Sequence, residues 1–298
     1  MLMVWAHVAS CGTTARVLVD STVWERPDTC NDPPTYNIHL HFVGVHLHFV
    51  GEGHSMFPDD LKGPIQAAAE LWSRAIVRKK EQVVPVQLSQ SKRQMLWYCG
   101  WDKTTNFIPS LTVWTNNTLH LCVRYGHSST SKALATARPL LQDSLGLPLV
   151  AGIELNARYR ELDLFNYCDY ANIAAHEIAH TLGFARKIMK PFLFRNYRGR
   201  TLFRGTHTHR EWSKRNTTTT KIYDARLYPV LHKKDQSHWC SQYSLDRELM
   251  LPKYDKRNAL GRLPLSPVTL AVFEDLGYVV NYACADPISA CFAIDDVA

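Results

Sequence analysis

Residues 171 to 182 place two histidines and a glutamate, His176-Glu177-Ile178-Ala179-His180, inside a run that is otherwise built from Ile173, Ala174, Ala175 and Leu182. Two unpaired imidazoles in an apolar setting are costly to bury, so the run folds well only if both rings share a purpose. Residues four apart lie on one helical face with Cβ atoms about 5–6 Å apart, which lets both rings reach a single ion while Glu177 projects beside the first. The predicted helix runs from about Asp169, as its cap, to Leu182, and Gly183 stops it. A helix carrying two surface histidines by chance is the plainer reading, and its apolar neighbours argue against it.

Zinc at a catalytic site takes three protein ligands, leaving a fourth position for water acidified to a pKa of about 7. A carboxylate beside that water can accept its proton and pass it to a leaving amine. His176 and His180 are therefore read as ligands of one zinc ion and Glu177 as general base. From Thr181 to Arg210 there is no Asp or Glu, which excludes an acidic third ligand on the next segment. Gly183 sits where a third-histidine motif needs its glycine, but Arg186 stands where that histidine normally follows. The candidates further on are His207, His209, His232 and His238. The first two lie among Arg, Thr and Gly, whereas Trp239 and Cys240 flank His238 and offer it an anchor.

The rest of the chain supports a folded α+β protein. Its 298 residues, 46% hydrophobic and 20% charged, suffice for a buried core. No apolar run reaches the roughly 18 residues of a membrane-spanning helix. Residues 36 to 50 alternate as a strand, and a tandem copy at 39 to 45 and 46 to 52 carries His39, His41, His46 and His48. Without a carboxylate or Cys among them, these four read as a duplicated strand before a metal cluster. Helical spacing of Ile65, Ala68, Ala69, Trp72 and Ile76 predicts an amphipathic helix over 64 to 79. Segments 83 to 88, 111 to 115, 119 to 125 and 149 to 155 read as strands of a mixed sheet, and 266 to 276 as a last helix ended by Gly277. Residues 1 to 35 read as an irregular leader with a degraded signal or pro-segment.

With these residues in place, a resemblance emerges. HEIAHTLGF at 176 to 184, the displaced His238-Trp239, Glu248-Leu249-Met250 and LAVFEDLGYVVNY at 270 to 282 together resemble the leishmanolysin family of metzincin metalloproteases. GLPLVAGIELN at 146 to 156 is similar to the strand before its active-site helix, and the likeness covers roughly residues 36 to 283. The resemblance implies His238 as third ligand and Met250 as the methionine of a turn beneath the metal. It implies an upper mixed sheet with two helices (36 to 185), a basic insertion (186 to 232) and a less regular lower subdomain (233 to 298). The implied activity is a zinc endopeptidase acting on protein or peptide substrates between the two subdomains. Apart from the resemblance, Glu248 and Asp246 are both candidates to partner a ligand histidine, as such sites commonly require, and no spacing rule fixes which.

Eight dispersed cysteines without a C-x-x-C pair, and sequons at Asn116 and Asn216, favour a secreted or cell-surface protein. The net charge of +7 points to an anionic partner until it is located. Ten Lys and Arg between 186 and 216 face Glu211 alone, and the remainder of the chain is slightly acidic. Nucleic acid is therefore disfavoured as a partner. The run reads first as a solvated loop, and second as a feature favouring acidic substrates or an anionic surface. Two other functions compete with the endopeptidase: a protease fold that binds without turnover, and a polyanion-binding module with an incidental HExxH.

Overall fold

The computed structural model describes Cys30 and residues 37–44, 57–79, 118–126, 133–162, 165–214, 228–241, 245, 247–254 and 261–287. The chain is α+β. Its main sheet has four strands: β1 (Asn37–Gly44), β3 (Thr118–Gly126), β5 (Pro148–Asn156) and β4 (Ala135–Gln142), in the spatial order β1-β3-β5-β4. β1, β3 and β5 run parallel, and β4 is an antiparallel edge on β5. The first six residues of both β3 and β5 are buried in unbroken succession, as expected of central strands covered on both faces.

Two helices lie against this sheet. In α1 (Asp59–Ala75), Leu61, Ile65, Ala68, Ala69, Trp72 and Ala75 are buried along one stripe. In α3 (Tyr167–Leu182), Ala171, Ala174, Ala175 and Ile178 are buried. Small residues on both helices let their backbones approach, so that the Trp72 indole Nε1 donates to the Ala175 carbonyl at 2.8 Å. A buried tryptophan is thus both packed and hydrogen-bonded.

Element boundaries differ from the sequence expectation for local reasons. α1 starts at Asp59, five residues early, because Asp59 and Asp60 suit the positive end of a helix and Pro64 is accommodated inside it. It also ends early: residues 76 to 79, expected as helix, form strand β2 (Ile76–Lys79), paired antiparallel with β8 (Tyr278–Val280). That partner lies some 200 residues on, which no local pattern announces. α3 begins at Tyr167, and its cap is Asn166. Asn166 Oδ1 accepts from the Asp169 amide at 2.9 Å, and Asp169 Oδ2 accepts from the Asn166 amide at 2.8 Å. Asp169 is therefore the returning half of a capping box rather than the cap. β1 covers the first copy of the duplicated segment; the second copy, with His46 and His48, and the expected strands at 83 to 88 and 111 to 115 lie outside the described residues.

A short α2 (Ala157–Glu161) links β5 towards α3, and α4 (Arg186–Met189) follows the α3 C-terminus. Residues 186 to 213, read from sequence as a solvated loop, are ordered structure. After α4 and a 3-10 turn come a hairpin, β6 (Leu193–Arg195) with β7 (Thr201–Phe203), and helix α5 (Thr206–Ser213). α5 docks on the last helix, α6 (Pro267–Leu276), where Asp275 accepts from the His207 and Thr208 amides at 2.9 Å and from Thr208 Oγ1 at 2.7 Å. Leu202, Phe203 and Trp212 are buried. The basic side chains hid this apolar underside, because they occupy the outward positions.

Cys30 is disulfide-bonded to Cys284, tying the leader to the end of the last strand region, and Cys122 and Cys168 are also disulfide-bonded. Among the described residues no helix is long and apolar enough to cross a membrane. Gly205 is the tightest point of the α5 dock: a Cβ there would sit 1.8 Å from Asp275 Oδ2 and 2.7 Å from the Phe203 ring. Gly205→Ala is expected to destabilise the fold by about 1–3 kcal/mol, the usual cost of overpacking. Urea unfolding checks this, and an unchanged midpoint would contradict the docking of α5.

Candidate metal centre

α3 holds its C-terminal turn under several restraints, and these set the site. Gly183 takes a φ of 127°, a conformation that glycine adopts without penalty. The chain then turns so that the Phe184 amide donates to the Ala179 carbonyl at 3.0 Å and Tyr278 Oη donates to the Leu182 carbonyl at 3.0 Å. The same turn aims the Phe184 carbonyl back at the helix, 2.7 Å from His180 Nδ1. The Phe184 ring is fully buried against Trp239, edge to face at 5.1 Å.

His238 arrives from the far side of the insertion on a short ladder. Residues 230 and 231 bridge β7 and Trp239, and the His232 amide donates to the His238 carbonyl at 2.8 Å. Trp239 is anchored at three points: its amide donates to the Met250 carbonyl at 2.9 Å, its Nε1 donates to Thr269 Oγ1 at 2.8 Å, and its ring meets Phe184. The flanking tryptophan singled out in the sequence is thus the fixture that sets the backbone next to His238.

The three imidazoles converge. His176 Nε2 lies 3.0 Å from His180 Nε2 and 3.0 Å from His238 Nε2, and the remaining pair is 3.1 Å apart. On the other side of each ring, Nδ1 faces an acceptor. His176 Nδ1 is 2.7 Å from the Leu249 carbonyl, and His180 Nδ1 is 2.7 Å from the Phe184 carbonyl. A carbonyl only accepts, so both rings carry their proton on Nδ1 and turn a bare Nε2 lone pair inward. His238 Nδ1 lies 3.0 Å from Asp235 Oδ2, a distance suited to charge attraction although the ring N–H is poorly aligned for a hydrogen bond. The carboxylate favours the proton on that nitrogen as well.

Three lone pairs about 3 Å apart repel unless an electrophile lies between them. Protons do not serve, because burial, and then the adjacent imidazoles, hold His176 well below the ordinary histidine range and His180 at about 4. A tetrahedral zinc with Zn–N distances of about 2.0–2.1 Å requires nitrogens roughly 3.3 Å apart, within a few tenths of an ångström of those found. The donor set, its tautomers and its spacing fit a divalent zinc-like cation. Among the described residues, these three are the only cluster of His, Cys, Asp or Glu with metal-binding proximity.

A cleft of about 610 Å³ opens beside the triad. Its walls include Thr136 and Ala137 of edge strand β4, Phe165, Leu251 and Tyr254, and the three histidines and Glu177 line it together. Glu177 is almost fully buried, and burial pushes its carboxyl up to about 8.

The other candidates fall elsewhere. His207 Nδ1 pairs with Glu274 Oε2 at 3.1 Å on the α5–α6 face, and the His209 ring lies 4.9 Å from that of Tyr228. His232 Nδ1 shares Asp235 with His238, at 3.2 Å, but does not join the triad. Glu248, expected as a histidine partner, instead supports the turn beneath: its carboxylate accepts from the Met250 amide at 2.5 Å, from Thr269 Oγ1 at 2.5 Å and from the Ser266 amide and hydroxyl. Met250 is fully buried in that turn, next to the Leu249 carbonyl that receives His176. Asp246 lies outside the described residues. Asp235 was missed; its only signal is a carboxylate three residues before the histidine. Compared with known proteins, the chain matches no family model and no curated protein.

Two outcomes follow from this geometry. Asp235→Ala is expected to weaken zinc binding about 10–100-fold, as loss of such outer partners does, measured by competition with a chelating dye. Unaltered affinity would show that Asp235 has no part in holding His238. Burial lifts the Glu248 carboxyl to about 7 against four donors that pull it down. A carboxyl raised above its unfolded value of 4.5 favours the fold in its protonated form, so that contribution is lost as pH rises from about 4.5 through 7. Glu248→Gln is expected to flatten the decline in stability over this window, read from thermal midpoints at a series of pH values.

Proposed function

We propose that the chain is a zinc-dependent endopeptidase of the leishmanolysin-like metzincin kind, secreted or held at the cell surface. The observation that carries this reading is the convergence of three bare Nε2 atoms, with their tautomers set by Leu249, Phe184 and Asp235, at the floor of a cleft that Glu177 also lines. A zinc ion held by His176, His180 and His238 supplies Lewis acidity and lowers the pKa of water to about 7.

The chain's own groups account for the remaining steps. Glu177 on its own would keep its proton at neutral pH, given burial; positive charge at the triad favours the ionised, proton-accepting form. It takes a proton from the attacking water and delivers one to the departing amine, as a single well-placed general base and acid can. Among the described residues β4 is the edge strand beside β5, and its Ala135, Thr136 and Ala137 line the cleft, which suits an extended peptide added as a further strand. That mode binds main chain, so it selects proteins and peptides without fixing a sequence. Met250 in its buried turn would support the triad from below. The disulfides support an oxidising compartment.

Glu177→Ala is expected to lower kcat/KM for an internally quenched peptide by about 10²–10⁴-fold while zinc content stays at that of the wild type. His238→Ala is expected to lose both zinc and activity. Wild-type turnover in the Glu177 variant would end the endopeptidase reading, and zinc-loaded wild type that cleaves no member of a peptide library would identify a binding protein.

A further inference from the structure

The β6–β7 hairpin presents cations and aromatic rings together. Lys190, Arg195, Arg198 and Arg204 are exposed, and so are Phe194 and Tyr197, the latter 80% accessible. Arg198 lies over the Tyr197 ring at 5.2 Å, and Arg204 lies over Phe194 at 4.8 Å. The chain from Thr181 to Arg210 contains no carboxylate. The acidic side chains at α5 are engaged: Glu211 with Arg210 and Lys214, Glu274 with His207 and Arg210, and Asp275 at the α5 N-terminus. Among the described residues, Lys190, Arg195, Arg198 and Arg204 of this exposed hairpin region have no ion pair with a carboxylate.

Charge alone would suit any polyanion. Exposed Phe194 and Tyr197 at the same tip add an apolar surface, and rings flanked by arginine are the combination that seats at the boundary between lipid headgroups and acyl chains. We propose that this hairpin is a docking surface for anionic phospholipid bilayers. Rings enter the headgroup layer, and Lys190, Arg195, Arg198 and Arg204 meet the lipid phosphates and carboxylates. The mount is firm: Leu202 and Phe203 of β7 are buried, Phe192 stacks on Phe203 at 5.4 Å, and residues 230 and 231 join β7 to the strand that carries Trp239. A bilayer held by the tip is thus connected by backbone hydrogen bonds to the segment bearing His238.

This inference goes beyond the endopeptidase reading and does not need it, because binding is measured without turnover. The experiment is co-sedimentation of the full chain with vesicles of phosphatidylcholine alone and with vesicles of phosphatidylcholine and phosphatidylserine, at low and physiological salt. Preferential, salt-sensitive binding to the phosphatidylserine vesicles is expected. Removing two of the four cations with Lys190→Gln and Arg198→Gln is expected to weaken it about 25-fold, from roughly fivefold per charge near an anionic surface. Tyr197→Ser is expected to weaken vesicle binding severalfold while leaving affinity for soluble heparin unchanged. Both sets of side chains are exposed, and an unchanged thermal midpoint confirms the fold. Equal binding to both kinds of vesicle, no binding, or a Tyr197→Ser variant that binds vesicles like wild type would each overturn the proposal. Heparin binding without vesicle binding would assign the hairpin to a soluble polyanion instead.

Discussion

Everything at the centre depends on what each Nδ1 faces. An imidazole can present either nitrogen, and a ring free to choose would bring a proton into the space between three Nε2 atoms. The Leu249 and Phe184 carbonyls remove that choice for His176 and His180, and Asp235 biases it for His238. Each acceptor belongs to a different element: the turn around Met250, the segment after Gly183, and the turn before Trp239. The triad therefore exists only when three chain segments distant in sequence are assembled, which makes the site a readout of the whole fold. The buried contacts that join those segments, Phe184 on Trp239 and the Trp239–Thr269–Glu248 chain of hydrogen bonds, are as much part of the centre as the histidines.

Much of this was legible from residue order where the signal is local. Four-residue spacing within an apolar run shows a shared helical face for His176 and His180, and Gly183 and Gly277 mark helix ends because a left-handed turn requires them. Ser266, an oxygen-bearing residue before a proline, marks the start of α6. Non-local pairing was not legible. Ile76 and Val77 continue the apolar stripe of α1, and only the distant partner strand at 278 to 280 turns them into β2. Asp235 was overlooked, and Glu248 was misplaced, for the same reason. Both are acids near the triad in sequence, but burial of Glu248 beneath the turn and of the α6 start above it decides which one meets an imidazole.

The basic insertion shows how composition can mislead about order. Ten cations between 186 and 216 suggest a segment that solvates itself. Folded, its inward positions bury Met189, Leu202, Phe203 and Trp212, while the cations occupy what remains. Net charge is a property of the outer face of this segment and says little about its inner one, which is why the same run can be both positively charged and tightly docked.

That docking bears on how His238 reaches the other two histidines. His238 lies 58 residues beyond His180, against the six between His180 and position 186, where the shorter spacing would place the third histidine. Closing a loop about tenfold longer costs roughly 2 kcal/mol more chain entropy, at about 0.6 kcal/mol per doubling. A flexible insertion would charge that cost directly to metal binding, because the ligand would have to be found anew each time. Here the described parts of the insertion are held by contacts of their own: Asp275 at the α5 N-terminus, the β6–β7 hairpin, and the bridges from β7 through Val230 and Leu231 to Trp239. Burying a single large aromatic or aliphatic side chain contributes about 1.5–3 kcal/mol, and Phe203, Trp212, Leu231 and Trp239 are all buried, which works against that cost. The folded insertion thus fixes the backbone beside His238 at Trp239. The insertion is free to carry a separate surface on its outer strand because its inner strand has already been fixed to the site.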